Sequence, residues 1–482
     1  MTSVQIEAAL SGLFEQWSGE RPDLVLPLAP SASTRIYYRL SKGGLAAVGA
    51  YNPDAKENAA FLSFSKHFRQ KALPVPEIYA EDPVGNVYLQ EDLGATTLYS
   101  YLLQTGGSFP DYLVQLYKKV VERLAHLQVK GGEGLDFSVC YPRASFDKQS
   151  MVWDFNTFKY YFLKLAKIPF DEQLLEDDFN RFADYLLTAD CSHFMFRDFQ
   201  ARNIMIKSGE PYFIDYQGGR QGALQYDLAS LLFQAKANIP ADIRRALVDH
   251  YLDALETLIP VDREKFIAHF HGYVLMRNIQ TFGTYGFRGL FERKEYFIQS
   301  IPYAVRNVKW LLENAVFPVE MPQLLRALHG AATSKRFEPF DKGRASASLL
   351  TVTVQSFSYK RGVPEDPSGH GGGFVFDCRF IHNPGLYEPY KKLTGRDEAV
   401  ANFLQHHSAM EEFLNQVFLL TDPSIENYIE RSFTNLTINF GCTGGQHRSV
   451  YAADRLAKHI SDKYGLKVEL KHIEQEIKGW KN

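Results

Sequence analysis

The sequence predicts an α+β fold in two lobes, followed by a small α/β domain. Three observations carry this. Phe196–Asp215 (FRDFQARNIMIKSGEPYFID) places two short apolar runs, Ile204–Ile206 and Tyr212–Ile214, around a Lys207–Glu210 turn, which reads as a hairpin with Asp198 and Asn203 at one end and Asp215 at the other. Alternating strands precede this stretch and amphipathic helices follow it. The apolar periodicity then lapses over 334–348, and beyond it strands alternate with helices, which implies an α/β domain with some parallel pairing. The expected boundaries are 1–333, with lobes 1–92 and 93–333, a linker 334–348, and 349–482.

The bulk properties narrow the classes. A chain of 482 residues, 45% hydrophobic and 14% aromatic, can build two or three cores. A net charge of −3 gives no general pull toward nucleic acid or anionic membrane. Four cysteines, at 140, 191, 378 and 442, have no CxxC spacing, which argues against zinc and against a disulfide framework. The N-terminal stretch reads as an amphipathic helix and not a signal peptide, and no run approaches the ~20 apolar residues of a membrane span. A reducing cytoplasm is the consistent setting.

In chain order, Val4–Trp17 is a helix and Leu24–Leu28 a strand. Residues 31–40 and 45–51 form a hairpin around Gly43 and Gly44, with Val87–Gly94 a strand running into a loop. Leu113–Gln128 is a core helix, Phe146–Ile168 an aromatic-rich helix and Phe179–Leu187 another. After the hairpin, Gln225–Leu232 opens a helix in which Asp227 is placed to brace the loop. Helices follow at 241–258, 261–281, 296–314 and 321–329, with Arg277, Asn278 and Gln280 set among apolar residues, and Thr281–Leu290 reads as a Gly-rich aromatic loop. In the last part, strands are expected at 349–357, 374–380 and 436–440, with helices at 397–407, 410–420 and 450–464.

The chemistry of the hairpin follows from its spacing. Arg197-Asp198, then Asn203 five residues on, then Asp215 twelve further, is how a kinase catalytic loop is written. Asp198 would accept the proton of an attacking hydroxyl, with Arg202 adding positive charge near the transferred phosphate. Asn203 and Asp215 would hold the Mg²⁺ that bridges the phosphates of ATP. A D-x-x-x-x-N taken alone is a common polar loop; the flanking strands and second Asp make it specific. No Walker loop exists, so the 31–40 hairpin would cover the phosphates, with Ser33, Thr34 and Arg35 facing them. The strand Ala46–Tyr51 lacks the usual lysine; Arg35 or Lys42 is the substitute cation and Glu57 the helix acid.

At Thr34–Leu40, Leu89–Gly94, Phe196–Asn203 and Ile214–Gln217 the chain resembles the aminoglycoside phosphotransferase (choline kinase-like) family, and within it the sugar kinases acting on the anomeric hydroxyl of N-acetylmuramate or N-acetylglucosamine. The resemblance covers roughly residues 1–330. It implies a kinase-like two-lobed fold, ATP with Mg²⁺, adenine on the backbone of Glu91–Leu93, and a sugar site near Asp147, Trp153 and Asp154. Those three residues suit a buried aromatic helix surface equally well. One departure is Phe196, where the family usually has His two residues before the catalytic Asp.

The last part has its own focus. Gly441–Val450 (GCTGGQHRSV) is a strand, a Gly-rich turn and a helix start, an anion nest of backbone N–H groups with His447 and Arg448 adding charge. It also has the Cys442-x5-Arg448-Ser449 spacing of a cysteine phosphatase, but no general-acid Asp loop accompanies it, so anion binding by Cys442, Thr443, Gly444, Gly445, His447, Arg448 and Ser449, with Asp377 and Arg379, is the favoured reading. With Ser356–Pro364, Phe376–Pro384, Leu393–Asp397 and Val400–Leu404, this loop resembles the C-terminal domain of the RNase adapter protein RapZ. That implies glucosamine 6-phosphate or a similar sugar phosphate as ligand and, in the family, small RNA. Ser368–Gly373 looks inserted, and residues 349–482 hold 15 Lys+Arg against 16 Asp+Glu, so charge does not support RNA binding. The partners expected are therefore an amino sugar and a sugar phosphate, with no membrane, and an oligomer is left open. The alternative is a RapZ-type RNA-binding adapter that senses nucleotide and sugar phosphate with little kinase activity.

Overall fold

The computed structural model describes residues 1–28, 34–334, 337, 348–365 and 373–479. Ser33 and most of the Ser368–Gly373 insertion lie outside them. The described residues divide into two compact units, the first made of residues up to Phe337 except Arg293–Glu295, and the second of Arg293–Glu295 with the residues beyond Phe337.

The first unit begins with α1 (Ser3–Ser18), which starts at a capping box: Thr2 Oγ1 accepts from Gln5 N, and Gln5 Oε1 accepts from Thr2 N. Strands β1 (Leu24–Pro27), β2 (Ile36–Lys42) and β3 (Leu45–Tyr51) precede α2 (Ala55–Gln70), and β4 (Ile78–Asp82) and β5 (Val87–Glu91) follow it. They form one antiparallel sheet in the order β1-β2-β3-β5-β4. Side-chain alternation sorts its two faces. Tyr38, Leu40, Ala47 and Leu89 pack with Ile6, Leu10 and Phe14 of α1, while Ala50 and Tyr88 pack with Phe61 and Phe64 of α2.

The rest of the unit is mostly helical: α3 (Leu98–Gln104), α4 (Asp111–Gly132), α5 (Lys148–Thr157) and α6 (Glu172–Leu186), then β6 (His193–Met195), β7 (Ile204–Lys207), β8 (Glu210–Phe213) and β9 (Arg220–Gly222), then α7 (Leu224–Leu232), α8 (Ala241–Glu256), α9 (Arg263–Tyr285), α10 (Ile301–Asn314) and α11 (Pro322–Ala332). The expected hairpin is the antiparallel β7–β8 pair, Ile204 opposite Phe213. Two expectations are corrected. The helix expected over 146–168 is α-helical only to Thr157 and continues as a π-helical turn, Phe158–Leu163. The expected loop at Thr281–Leu290 is helical: α9 runs to Tyr285 and a second π-helical turn spans Gly286–Phe291. Gly286 is required there because a Cβ would overlap the Tyr161 backbone of the first π turn.

The second unit contains β10 (Thr351–Ser358), β11 (Phe374–Asp377), α12 (Glu398–His406), α13 (Met410–Glu430), β12 (Asn435–Cys442), α14 (Arg448–Tyr464), β13 (Lys467–His472) and α15 (Ile473–Lys478). The sheet is parallel throughout, in the order β11-β12-β10-β13. Strand β12 is buried on both faces, seven of its eight residues, although its sequence alternates: Leu436, Ile438, Phe440 and Cys442 fill one face while Thr437 and Asn439 are buried on the other. Strand β11 ends sooner than expected because Asp377 Oδ1 accepts from Arg379 N at 2.8 Å and turns the chain. Helix α13 runs ten residues beyond its expected end at Leu420, through Pro423. Strand β13 and helix α15 were not expected from the sequence.

Candidate active site

The stretch between β6 and β8 folds around one buried acid. Asp227, at the start of α7 and fully buried, accepts from Phe196 N at 2.7 Å and from Arg197 N at 2.8 Å. Gln128 Nε2 donates to it at 3.0 Å, and Tyr251 Oη donates to Gln128 Oε1 at 2.6 Å. Burial pushes the Asp227 carboxyl up to about 7 against these donors. Phe196, standing where the family has His, is buried in an edge-on aromatic cluster with Phe199, Phe213 and Tyr216. Hydrophobic packing therefore shapes the loop at this position.

This loop presents Asp198. Its carboxylate is half exposed, and Arg277 Nη1 of α9 lies 3.3 Å from its Oδ1. Burial works to raise the Asp198 carboxyl, but Arg277, Arg197 and Arg202 outweigh it and hold the group below the usual carboxylate range. Asn203 donates Nδ2 to the Asp198 carbonyl at 2.9 Å, leaving its Oδ1 as an acceptor. Asp215 follows β8 with φ +70 and a half-exposed carboxylate, its Oδ1 accepting from Gln217 Nε2 at 2.8 Å. Its carboxyl is raised by burial, with Gln217 and Arg35 opposing. Arg202 is exposed, and its charge lowers both Asp198 and Asp215.

Of the two candidate cations, Arg35 is the one that meets the acids. Its side chain is 2% exposed; Nη2 donates to Glu57 Oε2 of α2 at 3.0 Å, and Nη1 lies 3.5 Å from Asp215 Oδ1. Asn52 Nδ2 also donates to Glu57 Oε2, at 3.1 Å. Lys42, the other candidate, is turned to the sheet edge on Asp23 and Glu20 and is not near these acids. Thr34 is exposed. Glu91 is fully engaged: its N–H donates to Glu77 O at 2.8 Å and its carboxylate takes Lys207 Nζ at 2.6 Å. Leu93 is buried, and the neighbouring Asp92 receives both ends of the Arg39 guanidinium at 2.6 and 3.0 Å.

The three expected sugar contacts separate. Asp147 is the N-cap of α5: it accepts from Ser150 N at 3.0 Å and is paired with Arg143. Burial notwithstanding, Arg143 and Ser150 hold its carboxyl low. Trp153 is 45% exposed, with the Arg143 guanidinium 5.8 Å over its ring. Only Asp154 joins the loop, with Arg197 Nη2 3.4 and 3.5 Å from its two oxygens. Arg220, which nothing in the sequence marks, is buried with its guanidinium on Gly218 O and Tyr141 O, and burial pulls its pKa down to about 10.

In the second unit the expected anion-site residues gather at the carboxyl ends of β10, β11 and β12, but their side chains are largely taken up by backbone carbonyls and by neighbouring side chains. Arg448 is 4% exposed, and its Nη1 donates to Arg379 O and Ile381 O, both at 2.8 Å. His447 is buried with Nε2 2.9 Å from Tyr390 O, and burial lowers its pKa, so neither residue presents an exposed charge. Arg379 forks onto Asp377 and lies 4.0 Å over the Tyr359 ring. Cys442 is 2% exposed with Sγ 3.1 Å from Ser449 Oγ. Thr443 and Gly444 are exposed, and Gly445, at φ +64, lies where a Cβ would come 3.1 Å from Ser358 N.

Among the described residues no cluster of three or more His, Cys, Asp or Glu side chains could hold a metal ion, and no helix is long and apolar enough to cross a membrane.

Comparison with known proteins fits these two units. Residues 350–476 match the RapZ C-terminal domain. A nucleotide-binding protein of Cereibacter sphaeroides is 42% identical over 137 residues, 28% of this chain and 43% of that protein. One of Solibacter usitatus is 40% identical over 120 residues, 25% of this chain and 36% of that protein. The chain thus spans less than half the length of the curated relatives it matches. Among solved structures it is similar to the choline kinase LicA of Streptococcus pneumoniae (TM-score 0.42, 15% identity, 64% of this chain and 99% of that one). It is also similar to an amicoumacin kinase in complex with AMP-PNP and Ca²⁺ (TM-score 0.45, 13% identity, 67% and 100%). Residues 25–265, half of the chain, match the phosphotransferase enzyme family. With a kinase-like fold and a RapZ C-terminal domain following it, this chain belongs to the phosphotransferase enzyme family.

Proposed function

We propose that the chain is an ATP-dependent small-molecule kinase that phosphorylates an amino sugar, N-acetylglucosamine or N-acetylmuramate, at the anomeric hydroxyl. The observation that carries it is a half-exposed carboxylate, Asp198, ringed by arginines and tied through its own carbonyl to Asn203, with Arg277 3.3 Å away. Asp198 takes the proton of the attacking hydroxyl, and the arginines keep it ionised to do so. Arg35, fixed by Glu57, meets the phosphates.

Asn203 Oδ1 and the Asp215 carboxylate are hard oxygen donors of the kind Mg²⁺ takes, and one carboxylate with an amide suits an ion whose other ligands are phosphate oxygens and water. Bound there, the ion would neutralise charge on the transferred group. The second unit would bind a sugar phosphate through the exposed backbone of Thr443 and Gly444 and regulate the kinase, within a 1–333 and 349–482 division.

The test is ATP consumption by the full chain against a panel of amino sugars, with Asp198→Ala as control. Turnover of one sugar, lost in the variant, supports the reading; turnover that survives Asp198→Ala excludes Asp198 as the base. Deletion of residues 349–482 should change the kinetics if the second unit regulates.

A further inference from the structure

Arg197 stands at φ +76. That left-handed backbone suits glycine and is strained for any residue with a Cβ. The backbone does not need arginine, since the N–H given to Asp227 at 2.8 Å could come from any residue but proline. The reason for the side chain lies in where it goes. Its guanidinium lies 5.2 Å over the Phe146 ring and reaches Asp154 of α5, yet both Nη2–Asp154 distances are long, 3.4 and 3.5 Å. Nη1 is buried and has no hydrogen-bond partner among the described residues. A guanidinium serving only as a strut would make close, paired bonds to its carboxylate.

The pair is also next to the chemistry. Arg197 is adjacent in sequence to Asp198, whose carboxylate has Arg277 Nη1 at 3.3 Å.

We propose that Arg197 and Asp154 form an acceptor-binding pair that takes a hydroxyl neighbouring the one phosphorylated. This rests on the phosphotransfer reading and narrows its acceptor class. A hydroxyl is the group that accepts from a guanidinium and donates to a carboxylate at once. It would bridge the guanidinium and the carboxylate and draw the loose Nη2–Asp154 pair together. A quaternary ammonium has neither function and would meet two cations, Arg197 and Arg277. The site therefore selects polyhydroxylated acceptors over cationic ones.

The experiment compares the full chain with its Arg197→Gly, Arg197→Lys and Asp154→Asn variants. Three readouts are taken: melting temperature, AMP-PNP dissociation constant, and KM for N-acetylglucosamine, N-acetylmuramate and choline. Arg197→Gly should melt at or above the wild type, because glycine relieves the strain, and should keep AMP-PNP affinity within about twofold while the sugar KM rises roughly 10- to 100-fold. Arg197→Lys should recover part of the KM, and Asp154→Asn should raise it with a less than additive effect in the double variant. A lower melting temperature with unchanged sugar KM in Arg197→Gly makes Arg197 a strut and overturns the inference alone. Wild-type phosphorylation of choline but of no sugar overturns the hydroxyl assignment. Failure of the wild type to bind AMP-PNP overturns the phosphotransfer reading, and the inference with it.

Discussion

Arg277 Nη1 lies 3.3 Å from Asp198 Oδ1, and the same nitrogen donates to Gln280 Oε1 at 2.7 Å. One turn of α9 thus aims a buried arginine at the carboxylate proposed as the base. Replacement by methionine should keep the volume and remove the charge. We expect Arg277→Met to lower kcat by roughly tenfold or more, the equivalent of one lost charged hydrogen bond, with AMP-PNP affinity unchanged. Steady-state kinetics and nucleotide titration on one preparation check this.

Asp227 gives a pH signature in stability. Its carboxyl is pushed up to about 7 from 3.8, because the fold buries it. The folded state therefore binds the proton more tightly than the unfolded chain. The stabilisation is fully present below the unfolded value and is lost as pH rises from about 4 through about 7. Thermal denaturation should show that component of stability falling across this window. Asp227→Asn should abolish it while lowering stability at all pH values, because its amide cannot accept from both Phe196 N and Arg197 N.

Arg35 and Lys42 are separable. Arg35→Met should weaken AMP-PNP binding at least tenfold, because Glu57 and Asp215 lose their shared cation. Lysine at 35 should restore it only in part, since an ammonium lacks the fork that spans both acids. Lys42→Ala, which removes an exposed pair at the sheet edge, should leave nucleotide binding as it is.

Asp147 and Asp154 also divide. Asp147→Ala removes the cap of α5 and should cost about 1 kcal/mol of stability with no change in acceptor KM. Denaturant titration and kinetics together test this.

In the second unit, Arg448→Met should unfold the 379–381 turn. Two carbonyls lose a buried charged donor, a cost of roughly 3 kcal/mol or more. Limited proteolysis between Arg379 and Lys392 should accelerate. Cys442→Ser, at a 2% exposed site bonded to Ser449, should leave phosphotransfer unchanged and abolish no phosphatase activity.

The sequence by itself determined the local and the periodic. The β7–β8 hairpin was legible because its two apolar runs flank a Ser208–Gly209 turn, and its acids fall at its ends by spacing alone. Long helices such as α4 and α8 were legible from their 3.6-residue period, the short α3 and α15 were not, and the strand–turn–helix at Gly441–Val450 was legible from its glycines. Only the tertiary structure decided which charges meet. Nothing local distinguishes Arg35 from Lys42, and it is the pairing of β2 with β3 and the placing of α2 that set Arg35 on Glu57. Asp147 and Asp154 read alike in a polar-aromatic helix, yet one falls at a helix end with empty N–H groups and the other on the face toward Arg197. His447 and Arg448 look like anion ligands by type, but carbonyls from residues 379–390, distant in sequence, claim their donors. The Gly283–Gly289 stretch has the composition of a loop, and only its close approach to Phe158 and Tyr161 of the other π turn, and to Phe297 and Ile298, shows that its glycines allow close packing. Periodicity is carried by neighbours in the chain; charge pairing and close approach depend on residues far apart in it, and the fold alone brings those together.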